Sequence, residues 1–349
     1  MMQKSHNMSV RITVSALLSI LVLALCMGIG SVGIPLSSAI TIIADRISGT
    51  ALPSSVDPAA ASILWSIRMP RALTAFFVGG ALAVSGAIMQ AVLQNPLASS
   101  YTLGVSSGAS LGAALVIVSE ISVPFLGAFL LPASGFAFGL GTVVLVVLFS
   151  TKLDHNVQSH TIILIGMVVS LFVNALLTLV SAFAGAHSQE LLLWQMGSFS
   201  GRRWYHVAVM APVCIIGTLL VMRYHRELDI MTFGDEQSMA IGVDTRLVKK
   251  ILILLAAFLT GVSVCFSGTI GFVDLIVPHT VRRIFGSSHK YVLPMSMVIG
   301  GAFMALSDLV SRTLLSPREI PVGAVTALIG APFFIWIYFR TPGNHEESK

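Results

Sequence analysis

The chain has 349 residues, 55% hydrophobic and only 10% charged, against roughly a quarter charged in a soluble domain. That composition belongs in lipid and leaves no segment for a soluble catalytic domain. The net charge of +5 comes from basic residues scattered singly or in pairs between apolar runs, which argues against a nucleic-acid face.

Lys4 and Arg11 precede an apolar run from Ile12 to Val32. The run is longer than a signal core of about 7 to 15 residues and lacks an A-x-A cleavage site, so the first span is expected to stay in the membrane. A helix needs roughly 20 apolar residues to cross a bilayer. Hydropathy marks such stretches near 12–32, 72–93, 103–118, 125–150, 162–184, 206–222, 251–277, 292–309 and 321–339. With the N-terminus inside, nine spans divide the 20 Lys and Arg as 10 inside and 10 outside, which is no bias. A short tenth crossing over Pro278 to Gly286 changes the division to 13 inside and 7 outside, so the positive-inside rule favours about ten spans with both termini cytoplasmic. A crossing so short and polar must be shielded by protein or water, and short or broken helices commonly mark a transport path. The expected fold is all-α and polytopic, a single transmembrane domain over 1–349. Its longest charged segment, Arg223 to Lys250, is placed in the cytoplasm as a candidate docking surface.

Several motifs fail their context. Gly28, Gly30 and Gly33 spell GxGxxG at the end of an apolar span, not between a strand and a helix. Gly104, Ser106 and Gly108 spell GxSxG without the strand that a nucleophile elbow requires. Gly104, Gly108 and Gly112 instead recur every four residues, the spacing of close helix packing in membranes. Cys26, Cys214 and Cys265 lie inside apolar runs at separations that suit neither a zinc site nor a disulfide framework, and read as packing residues. The histidines include no HExxH, and Asp154, His155 and His160 read as solvated loop residues, so no metal site is expected. None of the six lysines follows a glycine, so no P-loop can be written. If ATP drives this protein, another chain binds it.

Six segments carry a resemblance: RMPR from Arg68, GGALAVSG from Gly79, MQAVLQNPLASSYTLGVSSGASLG from Met89, LWQMGSFSGRRW from Leu193, GTIGFVDLIVPHTVRR from Gly268 and REIPVGAVTALIGAPFF from Arg318. Together they resemble the permease family of iron-siderophore, haem and vitamin B12 importers, the type II ATP-binding cassette importers, from about Arg68 to Phe339. The resemblance implies about ten helices per subunit, a second permease subunit (a homodimer or a paralogous pair), two cytoplasmic ATPase subunits and an extracytoplasmic binding protein. It places the protein in a prokaryotic cytoplasmic (inner) membrane, with no cofactor on this chain; ATP and Mg belong to the partner ATPase. The cargo that the resemblance implies is a metal chelate, with ferric siderophore favoured and haem or cobalamin open.

The resemblance also assigns roles. Residues 228–250 correspond to short helices that dock into the ATPase, with Gly234, Ala240, Gly242 and Val243 at positions where small residues shape the coupling surface. Asn95, Pro96 and Leu97 form a cytoplasmic turn that narrows the inner end of the path, and Ser159 and His160 correspond to a second inner constriction. Arg68, Arg71 and Arg312 fall on the outer side, where they either snorkel to the interface or meet carboxylates of the binding protein, which suit the planar guanidinium fork. Asp274 stands where the family usually has glycine. A carboxylate at membrane depth is a functional hypothesis by default; it contacts substrate, pairs with a cation such as Arg282, or reaches outer water. His279 and Arg282 belong to the short crossing and either pair internally or line the path. The rival reading is an ion-gradient-driven secondary transporter, which needs intramembrane ionisable groups, here chiefly Asp274 and Asp308. No paired catalytic motif supports an enzyme.

Overall fold

The computed structural model describes residues 2–30, 33–49, 56–121, 123, 127–154 and 157–340. Among them the regular structure is entirely helical: α1 Met2–Gly28, α2 Leu36–Ser48, α3 Pro58–Val92, α4 Val105–Ser119, α5 Leu130–Leu153, α6 Ser159–Ala182, α7 Ser188–Met196, α8 Trp204–Met222, α9 His225–Met231, α10 Asp235–Ala240, α11 Thr245–Ser267, α12 Val273–Phe285, α13 His289–Thr313 and α14 Val322–Arg340. Among the described residues seven helices are long and apolar enough to cross a membrane, namely α1, α3, α5, α6, α8, α11 and α13. The shorter α4, α12 and α14 complete the expected set of about ten.

The bundle is built around α3, most of whose apolar stretch is buried. Small residues make that possible. A Cβ on Gly79 would lie 2.3 Å from the Gly300 carbonyl oxygen, and one on Gly300 would lie 2.6 Å from the Gly79 oxygen, so α3 and α13 cross backbone to backbone. A Cβ on Gly86 would lie 1.9 Å from the Asp274 carbonyl oxygen, which seats α12 on the same helix. The GxSxG segment is packing too. Gly108 and Gly112 face the Phe138 and Ser134 carbonyls of α5 at distances that exclude a side chain.

The short crossing differs from expectation at its start. Apolar sequence runs on to residue 277, but α11 stops at Ser267 and α12 begins at Val273. Gly268 (φ 73°) and Phe272 (φ 70°) adopt left-handed backbone that breaks the helix between them. Pro278 therefore lies inside α12. It cannot donate to the Asp274 carbonyl one turn back, and Gln90 Nε2 of α3 bonds that oxygen instead at 3.1 Å. At about 1.5 Å per residue, this helix of 13 residues spans about 20 Å, less than the hydrocarbon core of about 30 Å. Its Val273, Ile276, Val277 and Val281 are buried in protein, as a short crossing demands.

Long-range bonds sort the helix ends onto two faces. Arg11 of α1 bonds the Ile284 carbonyl at the end of α12, and Asp229 of α9 bonds the His289 amide at the start of α13 at 2.7 Å. The end of α12 thus lies on the α9–α10 face. On the opposite face the Ser198 amide, after α7, bonds the Ser267 carbonyl at 2.8 Å, and the Val322 amide bonds the Gly197 carbonyl at 3.2 Å.

Candidate functional site

The α9–α10 face gathers three segments that are far apart in sequence. α3 ends at Val92, and Asn95 to Leu97 form a turn in which the Asn95 side chain accepts from the Leu97 amide at 2.9 Å. Ser159 opens α6 and donates to the Val92 carbonyl at 3.3 Å, so the two expected constrictions touch. Asp235 opens α10 and accepts from Gln94 Nε2 at 3.1 Å and from Lys249 Nζ at 2.5 Å. Lys249 is fully buried and also donates to Ser159 Oγ at 3.1 Å and the Val157 carbonyl at 3.3 Å. A polar cavity of about 330 Å³ lies among Gln94, Ser159, His160, Asp235 and Glu236. Within the expected coupling segment, Gly234 (φ 107°) and Gly242 (φ 97°) hold conformations that favour glycine. A Cβ at either would meet nothing within 4 Å, so backbone rather than crowding requires the glycine. Ala240 is exposed, while Val243 is half-buried against the core.

Arg68, Arg71 and Arg312 do gather at the opposite face, where their guanidinium groups are engaged within the chain. Arg71 is 8% exposed and bonds Asp308 through Nε (3.0 and 3.1 Å) and Nη2 (2.9 Å). Its outer edge bonds Glu319 at 2.7 and 3.1 Å. Arg68, also buried, donates to the Met27 and Gly28 carbonyls at 2.9 and 3.0 Å, which caps the end of α1. Arg312 donates to the Cys26 carbonyl and lies 3.9 Å from Asp308. The three arginines clamp the end of α1 and the end of α13 to the first half of α3. Burial forces this arrangement, because an uncompensated charge at that depth is far more costly than a paired one.

Asp274 is 3% exposed, so it does not reach outer water. It bonds the Ser99 hydroxyl, beside the Asn95 turn, through Oδ2, and among the described residues its Oδ1 has no partner. The proposed ion pair with Arg282 does not form. Arg282 donates to Gln90 Oε1 and, at 3.3 Å, to the Ala87 carbonyl. Gln90 therefore holds α12 to α3 at two points. His279 is half-buried on the same helix. The other intramembrane carboxylate, Asp308, is engaged by Arg71, which removes it as a free coupling site for an ion gradient. His155 of the loop before α6 lies outside the described residues; no group of three or more His, Cys, Asp or Glu that could hold a metal occurs among the described ones.

A family model described as the FecCD transport family matches residues 17–340. The chain belongs to the FecCD transport family. It is 38% identical over 324 residues, 92% of each chain, to the ABC transporter permease protein YvrB of Bacillus subtilis (strain 168). It is 36% identical to the cobalamin import system permease protein BtuC of Halobacterium salinarum (strain ATCC 700922 / JCM 11081 / NRC-1), covering 82% of this chain and 76% of that one. Among solved structures, an inward-facing ABC transporter described as metal-chelate type matches with a TM-score of 0.80 and 31% identity, over 93% of this chain and 97% of that one.

As a FecCD permease the protein is a multi-pass, non-catalytic subunit of an ABC importer, which binds no cofactor and works with an ATPase and a binding protein. Its α9–α10 face carries residues that the sequence reading did not single out. Phe233, Met239 and Ile241 are 69%, 51% and 65% exposed around α10, beside the acidic Asp235 and Glu236. Large apolar side chains exposed together mark an interaction site. Their signal in sequence was the apolar spacing of Phe233, Met239 and Ile241 within an otherwise solvated stretch.

Proposed function

We propose that this FecCD permease forms a homodimer that imports a metal chelate, with a ferric siderophore favoured over haem or cobalamin, by alternating access. The single observation that supports the reading best is the convergence of the Asn95–Leu97 turn, the Ser159 end of α6 and Asp235 of α10 at one face, beside exposed Phe233, Met239 and Ile241. In this reading that face is cytoplasmic, as are both termini. α9 and α10 receive the ATPase through the apolar patch, with Gly234, Ala240, Gly242 and Val243 setting its shape. The two turns close the inner end of the path, which Asp274, His279 and Arg282 flank. With Arg68, Arg71 and Arg312 committed internally, recognition of the binding protein passes to the exposed Arg46, Arg203 and Arg318 on the opposite face.

The test is reconstitution in proteoliposomes with the copurifying ATPase. ATP-dependent uptake should follow addition of a binding protein loaded from a panel of ferric siderophores, haem and cobalamin. Uptake driven by an ion gradient without ATP would overturn the reading in favour of a secondary transporter.

A further inference from the structure

Lys249 places an ammonium, fully buried, at the junction of three segments. Its three donors are all used: Asp235 Oδ2 of α10 at 2.5 Å, Ser159 Oγ of α6 at 3.1 Å and the Val157 carbonyl at 3.3 Å. Asp235 has a second oxygen, and that one accepts from Gln94 Nε2 at 3.1 Å, while the same amide group also donates to the Met231 carbonyl at 3.1 Å. One carboxylate on the coupling helix therefore holds both turns, one directly and one through a buried lysine. A buried ammonium is tolerated only where every donor is met by a charge or an acceptor, so a movement of α10 that withdraws Asp235 leaves Lys249 unable to stay as it is.

Each of the two turns also holds one residue's backbone against its preference. Gln94 has φ 52° and Val157 has φ 54°, a region that non-glycine residues rarely adopt and that β-branched residues avoid. These are the residues whose side chain or carbonyl the Asp235–Lys249 pair engages. Strained residues of this kind persist only when surrounding contacts over-determine them. Release of those contacts lets each turn relax to an ordinary conformation.

We infer that Asp235 and Lys249 form a forked relay that couples ATPase-driven motion of α10 to both inner turns: Asp235 acts on the Asn95–Leu97 turn through Gln94 and on the Ser159 turn through Lys249. They are positioning residues and touch neither cargo nor nucleotide. The inference rests on the proposed coupling role of α9–α10, and it predicts something that role alone does not: the two branches can be cut separately.

The experiment uses the permease–ATPase complex in lipid nanodiscs, with one nitroxide label on Leu97→Cys or on His160→Cys. Both positions are exposed, whereas Cys26, Cys214 and Cys265 are buried and poorly accessible to the reagent. Label mobility is read without nucleotide, with ATP, and with ATP plus vanadate. The parent complex should change at both labels. Gln94→Ala should abolish the change at position 97 and keep it at 160; Lys249→Met should do the reverse; Asp235→Asn should abolish both. No response in the parent complex refutes the coupling reading itself. A parent that responds, with each single-branch variant keeping or losing the response at both labels alike, refutes the relay. If Lys249→Met does not assemble, Gln94→Ala at the exposed rim still decides, because the relay requires its effect to be confined to position 97.

Discussion

The arginine clamp makes the sharpest quantitative prediction. Asp308 has 2% of its side chain exposed and Arg71 9%, whereas Glu319 has 39%. Asp308→Ala leaves the Arg71 guanidinium buried with only the outer carboxylate, and removal of one partner of a buried pair costs about 3–5 kcal/mol. Arg71→Met leaves Asp308 with only Arg312, at 3.9 Å, and belongs in the same range. Glu319→Gln loses a half-exposed partner and should cost about 1 kcal/mol or less. The double variant Arg71→Met/Asp308→Ala removes both charges and should cost no more than either single variant, a coupling of about 3 kcal/mol or more. Unfolding titrations in mixed micelles, run with the three single variants and the double, measure these differences. If Arg71→Met costs no more than Glu319→Gln, the guanidinium is not a structural tie, and its assignment to partner recognition returns.

Four further outcomes follow from the geometry. Gly79→Leu should abolish accumulation of folded protein, because its Cβ alone would lie 2.3 Å from the Gly300 oxygen, whereas Gly141→Ala, with nothing within 4 Å, should leave yield unchanged; detergent-extracted yield and gel-filtration profile compare them. Gly242→Val imposes left-handed backbone on a β-branched residue at a cost above about 1–2 kcal/mol, and should lower uptake per ATP hydrolysed while the protein stays in the membrane, as paired transport and phosphate-release assays will register. A reporter at Ser287 should read cytoplasmic, like one at Thr232, since Asp229 holds the Ser288 hydroxyl at 3.1 Å; opposite readings would break the ten-span topology. Arg203→Glu with Arg318→Glu should slow association of the binding protein and flatten its salt dependence, because exposed charges act mainly on the association rate, and surface-plasmon kinetics across a salt series test it.

Features encoded by spacing were legible in the sequence, and features encoded by fold were not. Glycines four residues apart announce close packing because the interval itself puts them on one helix face, and Gly108 and Gly112 do meet α5. The missing tenth crossing was legible from charge balance, which depends only on which loops share a side. Its first residue was not, since apolar residues continue through Gly268 to Phe272 and the break lies in two left-handed dihedrals. Arg71 and Asp308 lie 237 positions apart. Nothing in one sequence couples them, so the cation looked like a rim charge and the carboxylate like a candidate for ion coupling. Lys249 was hidden for another reason: a lysine at the start of an apolar helix reads as an interfacial anchor, and only the turn of α10 brings Asp235 over it.

The arrangement of strain and packing indicates which parts move. α3 carries Arg68 and Arg71 of the clamp, crosses α13 at Gly79 and Gly300, and holds α12 through Gln90. Backbone-to-backbone crossings have no side chain to re-pack, so a shift along them would lose contact without a second arrangement to gain. A bistable element is required for transmission, and α3 with α13 is a poor candidate for one. The turns at Gln94 and Val157 are better ones, because each is held in a disfavoured conformation by a few polar contacts that lead to Asp235 of α10, directly or through Lys249 of α11. Work done on α10 therefore reaches the inner turns before it reaches the bundle. In the proposed homodimer, access from the opposite face would then change by movement of whole permease subunits rather than by deformation within one, a division of labour that separates a local gate from a rigid-body step.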